Sequence, residues 1–247
     1  MGKGPGAVFH EKISAKEFGE MPPEYQELVS RVLTIQADCE IGSAHVYGAR
    51  WLLKAPTVDD MYQLSRMIGE EIDHFRKFNR LLKEINSDGT SLLWRQSSER
   101  YLDALKMSDL PTWGDVAVFS FLIDRVGKYQ LEEFVDSSYL PLNETALLPV
   151  IISEEMQHIS YGQKQITELC GDAKGRVEAQ RAVNRWYPLA LDMFGRSTSR
   201  RCLRYLEWGL KRRTNAEARR EYIEEVNPLI AEMGLEVPDE AVGRKFL

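Results

Sequence analysis

The sequence predicts an all-α fold, because strand patterns are nearly absent and apolar residues recur every three to four positions. Apolar residues make up 43% and charged residues 28% of the 247 residues, as in ordinary globular proteins. No apolar stretch has the length of a membrane span, and no signal-peptide pattern follows the N-terminus. We therefore expect a cytoplasmic protein without a membrane partner.

Charge and cysteine content exclude two further classes. A net charge of −6 argues against a nucleic-acid partner, because phosphate backbones are bound through excess Lys and Arg. The three cysteines have no C-x-x-C spacing, so the sequence indicates neither a disulfide framework nor a cysteine-ligated metal.

The first two predicted helices form a pair. The first covers residues 23–54 and stops where Pro56 excludes helical geometry for the residue before it. The second begins at Thr57, which caps it together with Asp60, and ends near the turn at residues 86–89.

A looser segment, residues 90–111, leads to a second pair. Thr112 and Asp115 cap the third helix, and the fourth covers residues 145–169 and stops before Gly171. Three more helices are predicted at residues 176–194, 197–211 and 215–233, the last capped by Thr214 with Glu217. We expect one domain, residues 1–247, with a core bundle at about 23–170, a C-terminal helical extension at about 176–233 and an irregular tail.

Helices two and four carry the same motif, Glu-Glu-x-x-His. Three residues advance an α-helix by about 300°, so Glu71 and His74 share one face, as do Glu155 and His158. Two Glu-x-x-His motifs plus one carboxylate from each of two other helices are the ligand plan of ferritin-like di-iron bundles. The predicted fold is therefore a ferritin-like four-helix bundle with additional C-terminal helices.

The remaining carboxylates follow from the repeat of the helix pairs. Glu40 lies 31 residues before Glu71, and Asp124 lies 31 residues before Glu155. Two other acidic residues of the third helix would place the ligand two turns out of register: Glu132 and Glu133.

The sequence thus predicts a site for two iron ions, with manganese as the alternative, since mixed carboxylate and imidazole ligands suit both metals. The predicted ligands are Glu40, Glu71, His74, Asp124, Glu155 and His158. His45 lies about 140° round the helix from Glu40 and is interpreted as structural. Phe121 and Ile151 are expected to shape a pocket beside the metals, and Gly127 to leave room there.

The densest positive charge lies between Arg200 and Arg220. It either binds phosphates or forms a solvated face paired with Glu207, Glu217 and Glu221.

Several segments are similar to one known family: 50–57 (RWLLKAPT), 113–116 (WGDV), 184–195 (NRWYPLALDMFG) and 210–215 (LKRRTN). Over about residues 22–239 the chain resembles the catalytic A subunit of bacterial phenylacetyl-CoA epoxidase, including the order of the six predicted ligands. One departure is Met67, where the family has a lysine one helical turn before the first Glu-x-x-His.

The resemblance implies a di-iron monooxygenase that uses O2 to epoxidise or hydroxylate an aromatic acyl-CoA in phenylacetate catabolism. It also implies a separate flavin and iron–sulfur reductase, and either a homo-oligomer or a complex with a ferritin-like sister subunit. The candidate CoA contacts are Arg31, Lys211, Arg212 and Asn215. The alternatives are a ferritin-like oxidase or peroxide-detoxifying protein and a non-catalytic ferritin-like scaffold subunit.

Overall fold

The regular structure is helical throughout the part of the chain that the computed structural model describes, residues 8–106, 112–144 and 146–246. These residues form nine α-helices: α1 (Pro23–Val46), α2 (Val58–Glu84), α3 (Trp113–Val118), α4 (Asp124–Phe134), α5 (Pro141–Glu144), α6 (Leu148–Leu169), α7 (Ala173–Met193), α8 (Arg200–Glu207) and α9 (Asn215–Glu232). The extended pairing that they contain is an isolated bridge between Ile13 and Tyr139. The predicted all-α fold with a ferritin-like bundle is confirmed. None of the described helices has the length and apolar character needed to cross a membrane.

The first and third predicted helices each contain a π-helical turn. Helix α1 continues through the π turn Tyr47–Trp51 and the 3-10 turn Leu52–Lys54, and α3 continues into α4 through the π turn Phe119–Ile123. The two π turns touch where the hydroxyl groups of Tyr47 and Ser120 lie 2.7 Å apart. Such turns insert an extra residue and are frequent at functional sites.

The structure confirms the three predicted N-terminal helix caps. The Thr57 hydroxyl accepts a hydrogen bond from the Asp60 amide. Capping boxes begin α3, at Thr112, and α9, at Thr214.

The bounds of three helices were wrong. Helix α6 begins at Leu148 rather than at residue 145, which lies outside the described residues, because Leu147 has a left-handed backbone with φ of 55°. Helix α7 begins at Ala173 because the Asp172 side chain caps it. Helix α8 covers Arg200–Glu207 alone, since Gly209, with φ of 63°, turns the chain away.

The predicted loose segment contains three 3-10 turns: Thr90–Trp94, Ser97–Glu99 and Asp103–Lys106. It is tied to α1 by Arg100, which donates to Oδ1 of the buried Asp38 at 2.8 Å. The C-terminal helices pack against the bundle, where the Tyr222 hydroxyl of α9 donates to the Leu122 carbonyl at 3.0 Å.

The core of the described part of the chain consists of two apolar clusters, and most of the predicted metal ligands lie between them along the helices. On α2, Met67 belongs to one cluster and Phe75 to the other. On α6, Ile159 and Ile151 divide in the same way. The ligand positions of these two helices therefore form a buried polar layer inside an apolar core.

Helix α6 approaches the π turn of the third predicted helix at Gly162. A Cβ atom there would lie 2.6 Å from the Ala117 carbonyl oxygen and 2.7 Å from the Phe121 amide nitrogen.

We expect Gly162→Ala to lower the free energy of unfolding by about 1–3 kcal/mol in urea titrations, because the helices must separate. Gly69→Ala is the matched control, since it meets nothing within 4 Å and lies mid-helix, where alanine adds about 0.5–1 kcal/mol. Equal effects of the two substitutions would contradict the close approach.

Candidate metal centre

The four bundle helices bring the six predicted ligands together. Helix α1 provides one carboxylate, α4 another, and α2 and α6 one carboxylate and one imidazole each; all six side chains are buried. Their ligand atoms form two overlapping groups within 4.8 Å: Glu40, Glu71, His74 and Glu155 in one, and Glu71, Asp124, Glu155 and His158 in the other. Because Glu71 and Glu155 belong to both groups, the arrangement has the form of two adjacent cation sites that share two carboxylates.

Both imidazoles turn Nδ1 toward the carboxylates. Nδ1 of His74 lies 3.2 Å from Oε2 of Glu40 and 3.5 Å from Oε1 of Glu155. Nδ1 of His158 lies 3.6 Å from Oε1 of Glu71 and 3.9 Å from Oδ2 of Asp124. The same ring nitrogen of each histidine therefore faces the centre.

The opposite ring nitrogens bind two further glutamates that the sequence analysis did not assign. Nε2 of His74 on α2 pairs with Oε2 of Glu154 on α6 at 2.8 Å, and Nε2 of His158 pairs with Oε2 of Glu70 at the same distance. Each motif thus supplies the carboxylate that orients the other motif's histidine. The signal was the doubled glutamate at the start of both motifs.

The two terminal carboxylates have different hydrogen-bond donors. The Gln36 amide donates to Oε1 of Glu40 at 2.6 Å, and the Tyr47 phenol donates to Oδ2 of Asp124 at 2.6 Å. Both donors are buried. Gln36 and Tyr47 therefore fix the orientation of the Glu40 and Asp124 side chains, which occupy equivalent positions in the two helix pairs.

Without cations, the cluster stabilises protons. Burial and the neighbouring Glu155 raise the pKa values of Glu71 and Asp124 well above the usual carboxyl range. Burial disfavours charge on His74, but hydrogen bonds to Glu154, Glu155 and Glu40 outweigh it and raise the pKa of His74. Metal ions compete with protons for such groups, so binding of divalent cations would release protons.

The donor set and one unpaired atom fit a metal. Four carboxylates and two imidazoles form the mixed oxygen and nitrogen sphere that suits iron or manganese. Nδ1 of His158 is buried without a hydrogen-bond partner in the described part of the chain. An unpaired buried polar atom is costly, and a cation between His158, Glu71 and Asp124 would satisfy it.

A cavity of about 200 Å³ opens beside the cluster and is lined by four of its carboxylates: Glu40, Glu71, Asp124 and Glu155. As expected, Gly127 lies in its wall. Phe121 and Ile151 were assigned wrongly, because both pack into the apolar core instead. The Cys39 thiol also lines the cavity, and burial raises its pKa.

The four candidate CoA contacts occupy different environments. Lys211 lines the cavity, and the positive charge of Arg31 opposes the burial that raises the pKa of Tyr205 in the cavity wall. The side chain of Arg212 is partly exposed near Asp136. Asn215 is buried and donates to the Arg196 carbonyl at 3.0 Å, which gives it a structural contact.

Other residues singled out by sequence lie outside the cluster. Nδ1 of His45 is 2.9 Å from a guanidinium nitrogen of Arg100. Met67, at the position of the family lysine, is wholly buried in the apolar core. In the basic segment, Arg204 pairs with Glu24 and Glu207, and Arg213 pairs with Glu133 and Glu221.

A family profile and two relatives match this chain. A family profile described as "Phenylacetic acid catabolic protein" matches residues 11–245. The chain is 28% identical over 240 residues to benzoyl-CoA oxygenase component B of Aromatoleum evansii, covering 85% of this chain and 50% of that protein. It is 27% identical over 229 residues to the A subunit of 1,2-phenylacetyl-CoA epoxidase from Escherichia coli (strain K12), covering 89% of this chain and 71% of that protein. The chain therefore spans about half the length of the first relative.

The glutamates behind the two imidazoles should control metal affinity. We expect Glu70→Ala and Glu154→Ala each to weaken Mn²⁺ or Fe²⁺ binding by about 10–100-fold, because the paired histidine loses its fixed orientation. Anaerobic titration calorimetry measures the affinity. Glu168→Ala is the control, since Glu168 lies on the same helix as Glu154 but is largely exposed. Wild-type affinity in both variants would show that these contacts do not orient ligands.

Proposed function

Because the chain belongs to the phenylacetic acid catabolic protein family, we propose that it is the dioxygen-activating subunit of a di-iron monooxygenase. Its substrate would be an aromatic acyl-CoA of the phenylacetyl-CoA type, epoxidised or hydroxylated on the ring. The observation that carries the proposal is the pair of overlapping ligand groups, together with Nδ1 of His158, which has no hydrogen-bond partner among the described residues at the point where a cation would bind.

When bound, two ferrous ions would supply electrons and open coordination positions for the activation of dioxygen. Glu71 and Glu155 would contribute to the binding of both ions. Glu40 and His74 would complete one sphere, and Asp124 and His158 the other.

The surrounding residues support this arrangement in distinct ways. Gln36 and Tyr47 hold the terminal carboxylates by hydrogen bonds. Glu70 and Glu154 keep Nε2 of each histidine occupied, so that Nδ1 faces the metals. The apolar clusters on both sides exclude water, which strengthens the electrostatic interactions of the bound state.

The size of the cavity is consistent with an aromatic substrate. Its volume of about 200 Å³ accommodates one ring, since an apolar cavity of about 150 Å³ binds benzene. Lys211 in its wall offers a cation to the phosphates of CoA, with Arg31 and Arg212 as further contacts. One named relative is a component of a benzoyl-CoA oxygenase, and the other is a subunit of a 1,2-phenylacetyl-CoA epoxidase.

The proposal includes partner proteins. The family resemblance implies that electrons would come from a separate flavin and iron–sulfur reductase, and the three cysteines, which form no iron–sulfur motif, are compatible with that division. A ferritin-like sister subunit or a second copy would complete the complex. A scaffold subunit does not need six buried ligands with oriented histidines. An iron-storage protein does not need a cavity of the size of an aromatic ring beside them.

Metal content provides the first test. Protein purified from iron-supplemented cells should contain about two irons per chain, as two sites with bridging carboxylates require. Glu71→Ala should lose most of this iron because it removes a ligand of both sites, whereas Glu84→Ala, at the end of the same helix, should retain it. Elemental analysis makes the measurement, and a folded metal-free wild type would contradict the proposal.

The second test addresses the substrate. With a suitable reductase and NADPH, phenylacetyl-CoA or benzoyl-CoA should stimulate oxygen consumption and yield an oxygenated CoA thioester. Lys211→Ala should raise KM for the thioester by about 10-fold, equal to about 1.4 kcal/mol, with a smaller effect on kcat. Lys164→Ala is the control, since Lys164 is exposed on α6. An unchanged KM in Lys211→Ala would remove Lys211 from the CoA site.

A further inference from the structure

A row of aromatic side chains begins beside Asp124. Tyr47, Trp51 and Trp186 are wholly buried, with ring centroids 5.7 Å apart in the first pair and 6.2 Å in the second. Phe119 packs edge-on against all three, at 5.1–5.3 Å. The tyrosine and the two tryptophans therefore form an unbroken series of contacts.

The two ends of this row connect different parts of the molecule. The Tyr47 phenol donates to Oδ2 of Asp124, one of the proposed ligands, at 2.6 Å. The Trp186 indole donates to Oδ1 of Asp115 at 3.1 Å, and Asp115 pairs with Arg185, whose side chain is 34% exposed. Asp115 and Arg185 line a surface pocket of about 560 Å³. The row thus leads from the centre to solvent.

Tyrosine and tryptophan, the residue types of this row, are the aromatic side chains that lose one electron most readily. Nε1 of Trp51 has no hydrogen-bond partner among the described residues. An oxidised Trp51 would therefore have no neighbouring base to take its proton, and the positive charge would pass on. At Trp186 the adjacent Asp115 carboxylate would stabilise a cation in a low-dielectric environment.

We propose that Tyr47, Trp51 and Trp186 form a one-electron relay that carries an oxidising equivalent from the metal centre to the surface pocket when dioxygen is activated without substrate. The inference rests on the proposed function, since the oxidant is the centre after its reaction with dioxygen. Its effect is to protect the ligands and the cavity wall from oxidation.

The electrons and protons balance at each step. Tyr47 would give one electron to the centre, and its O–H bond would break as the proton moves to Oδ2 of Asp124. Trp51 then gives an electron to the phenoxyl oxygen, the proton returns from Asp124, and a cation remains on Trp51. Trp186 reduces that cation, and a dissolved one-electron reductant such as ascorbate reduces Trp186. The net change is one electron from the reductant to the centre.

The charges at the surface end suit this last step. Lys174, Arg181 and Arg185 line the pocket, with Glu178 and Asp115 as its acidic residues. The excess of basic side chains favours an anionic reductant. A row of rings that served only packing would need neither the hydrogen bond from Tyr47 to Asp124 at one end nor the Asp115–Arg185 ion pair at the other.

Freeze-quench electron paramagnetic resonance tests the relay. Protein loaded anaerobically with measured Fe²⁺ is mixed with O2 in the absence of acyl-CoA, using ring-deuterated Tyr or Trp to identify the radical. The wild type should show tyrosyl and indolyl radicals that decay faster with ascorbate. In Trp186→Phe the tyrosyl radical should live at least about tenfold longer, equal to about 1.4 kcal/mol in its decay barrier. Tyr47→Phe should abolish both radicals.

Other variants separate the relay from effects on folding. Trp51→Phe also interrupts the row but costs no hydrogen bond, so it serves if Trp186→Phe does not fold. Tyr129→Phe and Trp208→Phe are matched controls elsewhere in the core and should behave as the wild type. Peptide mass spectrometry provides a second readout, because interrupting the row should increase oxygen incorporation at Tyr47.

Two outcomes would overturn the inference in different ways. Iron-loaded Tyr47→Phe with wild-type radicals, or iron-loaded Trp186→Phe and Trp51→Phe with wild-type radical lifetimes, would overturn the relay and leave the proposed function intact. A wild type that binds no iron would overturn both.

Discussion

The repulsion among four buried carboxylates is the constraint on which the rest of the structure depends. Charged groups removed from water are tolerated when they are neutralised, and here the neutralising species is either a proton or a cation. The raised pKa values of Glu71 and Asp124 describe the proton form of that balance. A cluster arranged in this way provides cation affinity at the expense of the stability of the metal-free chain.

Helices α2 and α6 each supply residues that the other helix needs for the proposed metal centre. The two adjacent glutamates of each motif have different roles. Glu71 and Glu155 face the cluster, while Glu70 and Glu154 pair with the imidazole of the other helix. Neither motif is therefore complete without the other. This exchange also allows the buried carboxylates and imidazoles of the two helices to lie between the apolar clusters.

The sequence was sufficient for the architecture and for finding the cluster, because helical periodicity, capping boxes and a repeated spacing are local signals. The 31-residue interval identified Asp124 although a π turn lies directly before it. The π turns themselves have no sequence signature, since they depend on how helices meet at Tyr47 and Ser120. Leu147 was missed because leucine rarely adopts positive φ. Phe121 and Ile151 were misassigned because closeness to a ligand along a helix does not specify the direction of a side chain.

The two faces of the cluster differ chemically, and this difference restricts how molecules reach it. The carboxylates line the cavity, whereas the imidazoles face α2 and α6, where the side chains of Glu70 and Glu154 are only 20% and 27% exposed. A substrate in the cavity would therefore meet carboxylate oxygens first. The two ends of the ligand cluster, at Glu40 and at Asp124, differ as well. Glu40 accepts a hydrogen bond from the amide of Gln36, which lines the cavity, whereas Asp124 accepts one from the phenol of Tyr47 in the aromatic core. The approximate twofold symmetry of the ligands thus lies in an asymmetric environment, in which the Asp124 end adjoins the buried aromatic row and the Glu40 end adjoins the cavity.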